Sequence, residues 1–292
     1  MSRVAVIGLG DMGSALARVL IAARRRPLLW NRSPERAAAF SGLDADIAGS
    51  AAEALSRAAL VVVCLLDYRA VRAVLEPVSG YLDGRTVINL TNGKPEEARE
   101  MADWVAARGG RYVDGGIMAV PAMIGSQDAF ILYSGSTAGF DRAAPVLEAF
   151  GKSRFLGRDP GLASVCDLGL LSAMYGLFGG FLHGVAMARS GGIAIEAFTE
   201  MSVAWLAAMV EVLPEIGAQI ESGDYSAQSG SALAMQLVGI ENIMAASKAQ
   251  GIDASSLAHM HTLMARRVAE GRGGEDIAGL VESFSAPVRQ AG

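Results

Sequence analysis

Cysteine is scarce in this chain of 292 residues, which contains only Cys64 and Cys166. Two cysteines do not make a disulfide framework, and Cys64 lies in the apolar run Leu60–Leu66, as a buried thiol does. Histidine is also scarce. His259 and His261 are two positions apart, on opposite sides of a helix, with no partner at ligand spacing. We therefore expect neither structural disulfides nor a metal site.

An excess of positive charge is also lacking, because 25 Lys and Arg stand against 30 Asp and Glu. The net charge of −5 argues against nucleic acid as a partner, since phosphate binding needs a basic surface. Neither a Gly-x-Ser-x-Gly elbow nor a P-loop occurs. The amino terminus enters a strand without a charged and then apolar leader, so we expect no secretory signal and a cytoplasmic location.

Formal charge is absent from the stretch Leu168–Ala188, where only His183 could acquire one. Its length would allow a transmembrane helix, although five glycines lower its apolarity. Gly176, Gly180 and Gly184 recur at four-residue spacing and leave a stripe to which another helix can approach closely. We interpret the stretch as a long helix buried between domains or subunits, and we expect no membrane association.

The chain has ample apolar residues for a core, since 52% are hydrophobic and 19% are charged. Its first half alternates strand-like runs with helical patterns, which is typical of a parallel, doubly wound α/β sheet. After Gly161 no convincing strand follows, so residues 1–160 are predicted to form a Rossmann domain and residues 161–292 an interdomain helix with an all-helical domain. The predicted strands are Val4–Gly8, Leu28–Trp30, Leu60–Leu66, Thr86–Leu90, Arg111–Asp114 and Ala129–Tyr133.

A Gly-x-Gly-x-x-Gly motif joins the first predicted strand to the first helix. Gly8 would make the tight turn, Gly10 would let the backbone approach a pyrophosphate, and Gly13 would let helix and strand pack closely. Met12 lies inside the motif. Glycines that merely turn the chain are the alternative, but the position at the first βα turn favours a dinucleotide site.

The end of the second strand indicates which dinucleotide is bound. NAD enzymes usually carry an acid there that accepts from the ribose 2′-hydroxyl, but this chain has Asn31, Arg32 and Ser33, with Arg36 one turn later. Guanidinium groups bind a 2′-phosphate, whereas a carboxylate would repel it. These residues predict NADPH as the cofactor.

Five segments together resemble the imine reductases, including the reductive aminases, within the β-hydroxyacid dehydrogenase superfamily. They are Gly8–Gly13, Trp30–Ser33, Asn89–Gly93, Asp114–Pro121, and Asp167 through Met174-Tyr175-Gly176. The resemblance implies an NADPH-dependent reduction of cyclic imines or iminium ions to amines, with reductive amination of a ketone by an amine as a related activity. It also implies a homodimer with swapped domains and an active site built from both subunits.

Asp167 is the residue on which the family comparison turns. β-Hydroxyacid dehydrogenases carry a lysine six residues after a glycine, and here Asp167 stands six residues after Gly161. Two unit charges about 4 Å apart interact by roughly 4 kcal/mol at an effective dielectric of 20, so an ammonium would repel an iminium and a carboxylate would stabilise it. A helix-capping or first-turn acid is the alternative for Asp167.

The resemblance assigns further residues to the substrate. Asn92 would contact the substrate nitrogen or the nicotinamide ribose, although Asn92-Gly93 is also a turn dipeptide. Tyr175 would orient the substrate, although it could be a core residue with a satisfied hydroxyl. The implied pocket residues are Met118, Trp205, Met235 and Gln236. Lys94, Cys166 and Pro27 depart from the family pattern; the first two bear on substrate preference, whereas Pro27 alters the entry to the second strand.

Two other functions stay open at this point. A β-hydroxyacid-type alcohol dehydrogenase would need the lysine that position 167 lacks. A non-catalytic NADPH-binding sensor would need an intact cofactor site beside a non-productive cleft.

Overall fold

The structure is a computed structural model that describes residues 3–226 and 230–284. The chain divides into two compact units, Met1–Ser172 and Ala173–Gly292. The predicted architecture, an amino-terminal doubly wound α/β sheet followed by helices, is confirmed.

The first unit is built on one eight-stranded sheet with the strand order β3-β2-β1-β4-β5-β6-β7-β8. Every pair of neighbours is parallel except β6 and β7. The strands are β1 Val4–Ile7, β2 Leu28–Trp30, β3 Asp46–Ile47, β4 Leu60–Val63, β5 Thr86–Asn89, β6 Arg111–Met118, β7 Phe130–Gly135 and β8 Lys152–Phe155. The helices between them are α1 Asp11–Ala22, α2 Pro34–Ala38, α3 Ala51–Arg57, α4 Tyr68–Leu75, α5 Pro95–Ala106 and α6 Thr137–Leu147.

Hydrophobic clusters cover both faces of this sheet. Val4 and Val6 of β1 belong to one cluster, whereas Ala5 and Ile7 belong to the other. Successive side chains of a strand point to opposite faces, so a strand buried on both faces is apolar at every position. This explains why the central strands β1 and β4 read as continuous apolar runs.

The predicted parallel sheet is confirmed apart from β7, which runs antiparallel to β6. The connection between them holds only a 3-10 turn at Pro121–Met123, whereas a parallel pair needs a crossover of a dozen or more residues. β6 also continues to Met118, beyond the predicted end at Asp114. The edge strands β3 and β8 were not predicted, because β3 has two residues and β8 is polar and half exposed.

The second unit is helical. Within residues 173–226 and 230–284 the β contact found is an isolated bridge between Ser226 and Glu275. A small core joins α10 to the segments after it through Leu233, Ile240, Leu263, Met264 and Leu280. The helices are the later part of α7 Gly161–Ser190, then α8 Ile195–Val210, α9 Leu213–Ser222, α10 Leu233–Ala249, α11 Ser255–Arg267 and α12 Val281–Phe284.

Large apolar side chains on α7 and α8 are exposed in the single chain. Leu182 of α7 and Val203 of α8 are each 64% exposed. By length and composition alone, Gly161–Ser190 and Ile195–Ser222 could each cross a membrane, with mean hydropathies of 1.5 and 1.4. Most residues of the charge-free stretch Leu168–Ala188 are partly or fully exposed in the single chain. The predicted burial of this stretch would therefore need a partner outside the chain.

Candidate active site

The glycine motif forms the turn between β1 and α1. Gly8 has a φ of +95°, and a Cβ there would fall within 3.0 Å of the Cys64 carbonyl oxygen. A Cβ on Gly13 would fall within 3.0 Å of the Gly8 carbonyl oxygen. Gly10 is the N-cap of α1, where a Cβ would meet only Arg36, at 3.4 Å. Gly8 and Gly13 are thus required by packing, whereas Gly10 leaves the backbone open to a ligand at the positive end of a helix dipole.

The end of β2 holds this turn in place. The Asn31 Oδ1 accepts from the Leu9 amide at 2.9 Å, and the Asn31 amide donates to the Ser33 carbonyl at 3.1 Å. Arg36 of α2 reaches back to within 3.4 Å of the Leu9 carbonyl oxygen. Asn31 therefore organises the glycine turn, a role that its position in the sequence did not reveal.

Arg32 and Ser33 lie on the surface beside this turn, and both are exposed. Met12, in the first turn of α1, packs against the core. An open glycine turn at a helix amino terminus, with two arginines at the adjacent strand end, fits a phosphorylated dinucleotide. NADPH would be held by Gly8–Gly13 and by the side chains of residues 31–36.

The loop after β5 carries Asn92. Two bonds fix the loop, since the Thr91 hydroxyl accepts from the Leu65 amide at 3.1 Å and the Thr91 amide donates to the Asn89 Oδ1 at 3.2 Å. A Cβ on Gly93 would fall within 3.0 Å of the Tyr68 ring, so the loop lies directly against that ring. The Asn92 side chain is exposed at the carboxyl edge of the sheet, where open α/β folds bind ligands.

The start of α7 is anchored to the sheet by several polar contacts. Arg99 of α5 donates two bonds of 2.8 Å to Asp159, which also accepts from the Gly161 amide at 3.0 Å. The Ser134 hydroxyl accepts from the Ala163 amide at 2.9 Å and donates to the Pro160 carbonyl. Asp159, not Asp167, is the acid that binds the first N–H of the helix, so the capping interpretation of Asp167 does not describe this fold.

Asp167 lies six residues after Gly161, the first residue of α7, and is buried, with 4% of its surface exposed. Its Oδ2 accepts from the Asn92 amide at 2.6 Å, which brings together two residues 75 positions apart. A Cβ on Gly116 would lie 2.7 Å from the Asp167 Cβ, so only glycine in β6 lets α7 come this close. Burial raises the pKa of Asp167, and the bond from Asn92 partly opposes that increase.

A second carboxylate, Asp114 of β6, lies beneath this pair and is 1% exposed. Its Oδ1 accepts from the hydroxyls of Tyr68 and Tyr112, the latter at 2.8 Å. Its Oδ2 accepts from the Ser164 hydroxyl at 2.9 Å. Burial raises the pKa of Asp114 to about 6, the hydroxyl bonds oppose this, and the charge of Asp167 adds to it.

The sequence reasoning singled out Asp114 only within a family segment and missed Tyr68, Tyr112 and Ser164. Tyr68 and Ser164 lie 46 and 50 positions from Asp114, so no spacing pattern links them. The only feature of the sequence that could have pointed to these residues is that each carries a hydroxyl group.

The remaining predicted site residues lie in different units of the chain. Met118 ends β6 and is half-buried in the first unit. Tyr175, Trp205 and Met235 are more than half exposed in the second unit, where Gln236 donates to the Ser231 carbonyl at 2.6 Å. Their grouping around Asp167 stays a prediction. Across residues 3–226 and 230–284, no three His, Cys, Asp or Glu side chains come together as a metal site would require.

Comparison with known proteins covers nearly the whole chain. Residues 3–158 match the family described as NAD binding domain of 6-phosphogluconate dehydrogenase. Residues 159–286 match the family described as NADPH-dependent reductive aminase-like, C-terminal domain. An NADPH-dependent reductive aminase from Aspergillus oryzae is 41% identical over 285 residues, which cover 96% of each chain.

Solved structures agree. A reductive aminase from Aspergillus terreus in complex with NADPH4, cyclohexanone and allyl amine has 42% sequence identity and a TM-score of 0.92. An imine reductase from Myxococcus stipitatus in complex with NADP+ has 30% identity and a TM-score of 0.93. Both alignments cover 97% of this chain and 99% of the other. With this identity over nearly its full length, the chain belongs to the family of NADPH-dependent reductive aminases and imine reductases.

Proposed function

We propose that this protein reduces the C=N bond of cyclic imines and iminium ions to amines. The observation that carries the proposal is the buried carboxylate of Asp167, held by Asn92 at the edge of the sheet where ligands bind. NADPH, when bound, supplies the hydride that the C=N carbon accepts.

The charge of Asp167 matches the chemistry of the C=N group. A protonated imine carries positive charge, and a carboxylate in a poorly solvated site stabilises it strongly. Because burial raises its pKa, the same carboxyl group binds a proton more readily than an exposed aspartate does and can deliver it to the substrate nitrogen. An alcohol dehydrogenase instead needs a cation for an oxygen that gains negative charge.

Asn92 orients this carboxyl group. Its amide nitrogen donates to one carboxylate oxygen, Oδ2, whereas the other, Oδ1, lies against Gly116 of β6. The exposed Asn92 lies next to the buried Asp167, so a substrate at the strand ends would meet the amide and the acid together. The family resemblance implies that Tyr175 orients the substrate nitrogen and that Met118, Trp205, Met235 and Gln236 line the pocket, and these roles stay predictions.

Reductive amination is the second part of the proposal. The A. terreus relative has been solved with a ketone, cyclohexanone, and a primary amine, allyl amine. Condensation of a ketone with a primary amine releases water and yields an imine, and protonation of its nitrogen gives the iminium group that Asp167 is placed to stabilise. We propose that the chain accepts such pairs as well as preformed imines.

Substrate classes test the proposal directly. The wild-type protein with NADPH and 2-methylpyrroline is expected to oxidise NADPH, which is followed by absorbance, with a kcat at least about tenfold above that for cyclohexanone with allyl amine, because the imine is already formed. The protein with NADP+ and β-hydroxyacids is expected to give no reduction. Turnover of a hydroxyacid without turnover of the imine would overturn the proposal. Tight NADPH binding without turnover of either substrate class would favour the alternative function, a non-catalytic NADPH-binding sensor.

We further propose that the chain functions as a homodimer whose cleft includes residues of both subunits. Exposed apolar patches of this extent on α7 and α8 are typical of interaction surfaces. A Cβ on Gly176 or Gly180 of the glycine stripe would meet nothing within 4 Å, so another helix can approach closely there, whereas Gly184 already packs against Phe198 of α8. These features support a soluble dimer, and membrane insertion is the alternative that the next experiment separates.

A charged residue in this surface should separate the subunits. Leu182→Arg is expected to convert a dimer into a monomer of 30.3 kDa and to lower kcat/KM at least about tenfold, because a guanidinium would be buried without a partner. Light scattering under assay conditions measures the mass. Leu43→Arg, at an exposed leucine of the first unit, is the matched control. A fully active monomer would contradict the shared cleft, and wild type that requires detergent to stay in solution would favour the membrane.

A further inference from the structure

Buried polar groups form a continuous cluster beneath Asn92 and Asp167. The cluster consists of Asp114 and the three hydroxyl groups that donate to it, those of Tyr68, Tyr112 and Ser164. The Tyr68 and Tyr112 hydroxyls also lie 3.0 Å apart, and the Asn89 amide donates to Tyr112 at 2.9 Å. Burying a carboxylate is costly unless its oxygens are bonded, and this one is bonded on both oxygens. Neither the cofactor site nor the proton chemistry described above uses these groups.

One side of the cluster supports the loop that carries Asn92. The Tyr68 ring lies so close to Gly93 that no side chain larger than hydrogen fits there. The Tyr68 hydroxyl is bonded to Asp114, and the Tyr68 side chain is 4% exposed. The position of Tyr68 therefore depends on Asp114. Because Gly93 lies against the Tyr68 ring, the position of the loop that carries Asn92 depends on Asp114 as well.

The other side of the cluster holds the turn of α7 that carries Asp167. Ser164 stands three positions before Asp167, so the two side chains lie on the same side of the helix. The bond from Ser164 to Asp114 ties this turn to β6, where Gly116 admits Asp167. One carboxylate thus joins α4, β6 and α7 at the point where Asn92 and Asp167 meet.

We propose that Asp114, together with Tyr68, Tyr112 and Ser164, is a positioning cluster that holds the Asn92 loop and the Asp167 turn at hydrogen-bond distance for the reduction of C=N bonds. The inference rests on the proposed function for its catalytic meaning. Its geometric content, the Asn92–Asp167 contact and its dependence on Asp114, can be tested separately.

The cluster also places a second negative charge near Asp167. The groups that face Asp114 are the hydroxyls of Tyr68 from α4, Tyr112 from β6 and Ser164 from α7, with the carboxylate of Asp167 from α7. The charge of Asp167 raises the pKa of Asp114, and a repulsion between two charges acts on both groups. Removing the charge of Asp114 should therefore make Asp167 ionise at lower pH.

Hydroxyl and carboxylate variants test the cluster. Ser164→Ala and Tyr68→Phe are each expected to lower kcat for 2-methylpyrroline by about tenfold or more, with an unchanged KM for NADPH, since misplacement by about an ångström is enough for such a loss. Asp114→Asn keeps one oxygen that can accept from both tyrosine hydroxyls, and it should retain more activity than Asp114→Ala. Its pH–rate limb due to Asp167 should move to lower pH, whichever protonation state of Asp167 is active.

Tyr133→Phe is the matched control. Tyr133 is also a buried tyrosine, but its ring belongs to the hydrophobic cluster on the face of the sheet opposite Tyr68 and Tyr112. It should leave kcat unchanged. If folded Ser164→Ala and Tyr68→Phe match Tyr133→Phe in kcat, the positioning role is wrong. Equal pH profiles for wild type and Asp114→Asn would refute the charge coupling.

A direct titration separates this inference from the proposed function. In protein labelled with 13C at the aspartate carboxyl carbons, the Asp167 resonance is assigned by its absence in Asp167→Asn. Its titration midpoint should rise in Ser164→Ala and in Tyr68→Phe relative to wild type, even if the wild type reduces no imine, because the bond from Asn92 that lowers the pKa of Asp167 would be lost. An unmoved midpoint in both variants would overturn the inference, whereas a moved midpoint in a protein without imine turnover would overturn only the proposed function.

Discussion

Asp167→Ala is expected to lower kcat for 2-methylpyrroline by about 10²–10⁴-fold, which is the contribution typical of a positioned proton donor or acceptor. The variant removes the buried carboxylate that Asn92 holds, and with it both the stabilisation of the iminium charge and the proton. The KM for NADPH should stay close to that of wild type, because Asp167 lies on α7, whereas the glycine turn that would hold NADPH joins β1 to α1. NADPH oxidation followed by absorbance measures both quantities.

Asp167→Asn separates charge from geometry. An asparagine keeps an oxygen that can accept from Asn92 but carries no charge and no acidic proton. We expect it to be nearly as inactive as Asp167→Ala. Asp141→Ala, which removes an exposed carboxylate of α6, is the control and should leave kcat unchanged. An Asp167→Asn variant with wild-type kcat would show that the residue acts only as a structural acceptor.

Stability distinguishes a lost function from a lost fold in these variants. The pKa of Asp167 is raised in the folded protein, so the folded state binds more protons than the unfolded chain does. The stability contribution of Asp167 therefore declines as pH rises from the unfolded pKa through the folded one. At neutral pH the neutral Asp167→Asn should unfold at the same temperature as wild type or at a higher one. An inactive variant that is also unstable would leave the catalytic assignment without support.

Gly13→Ala is expected to damage both the fold and the cofactor site. Its Cβ would fall within 3.0 Å of the Gly8 carbonyl oxygen, a backbone atom that cannot rotate away. The free energy of unfolding should fall by about 1–3 kcal/mol, as overpacking does, and the affinity for NADPH should fall at least about tenfold. Denaturant unfolding of the protein without cofactor and fluorescence titration with NADPH measure the two effects.

Gly10→Ala gives the contrasting case within the same turn. The added Cβ would meet only the flexible end of Arg36 at 3.4 Å, and the φ of −68° suits alanine. Stability without cofactor should change by less than about 1 kcal/mol, while NADPH affinity falls because the methyl group stands where a pyrophosphate would approach the backbone. Equal NADPH affinity in Gly10→Ala and wild type would place the phosphates elsewhere.

Local sequence was sufficient for much of the fold. The alternation of apolar strands with helices predicted the doubly wound sheet, because strands buried on both faces are apolar at every position. The glycine spacing identified the turn between β1 and α1, because the backbone conformation and close packing of such a turn exclude larger side chains. The antiparallel β7 and the polar edge strand β8 escaped prediction, since strand direction depends on a short connection and edge strands need little burial.

The sequence by itself determined the residue types at the site, including the acid at position 167 and the asparagine at position 92. Only the tertiary structure decided that these two side chains meet at 2.6 Å and that Asp159, not Asp167, caps the helix. It alone showed that Asp114 collects hydroxyls from three elements. The contacts of Asp167 with Asn92, and of Asp114 with Tyr68 and Ser164, join residues 46 to 75 positions apart, so they depend on how strands and helices pack, which no local pattern records.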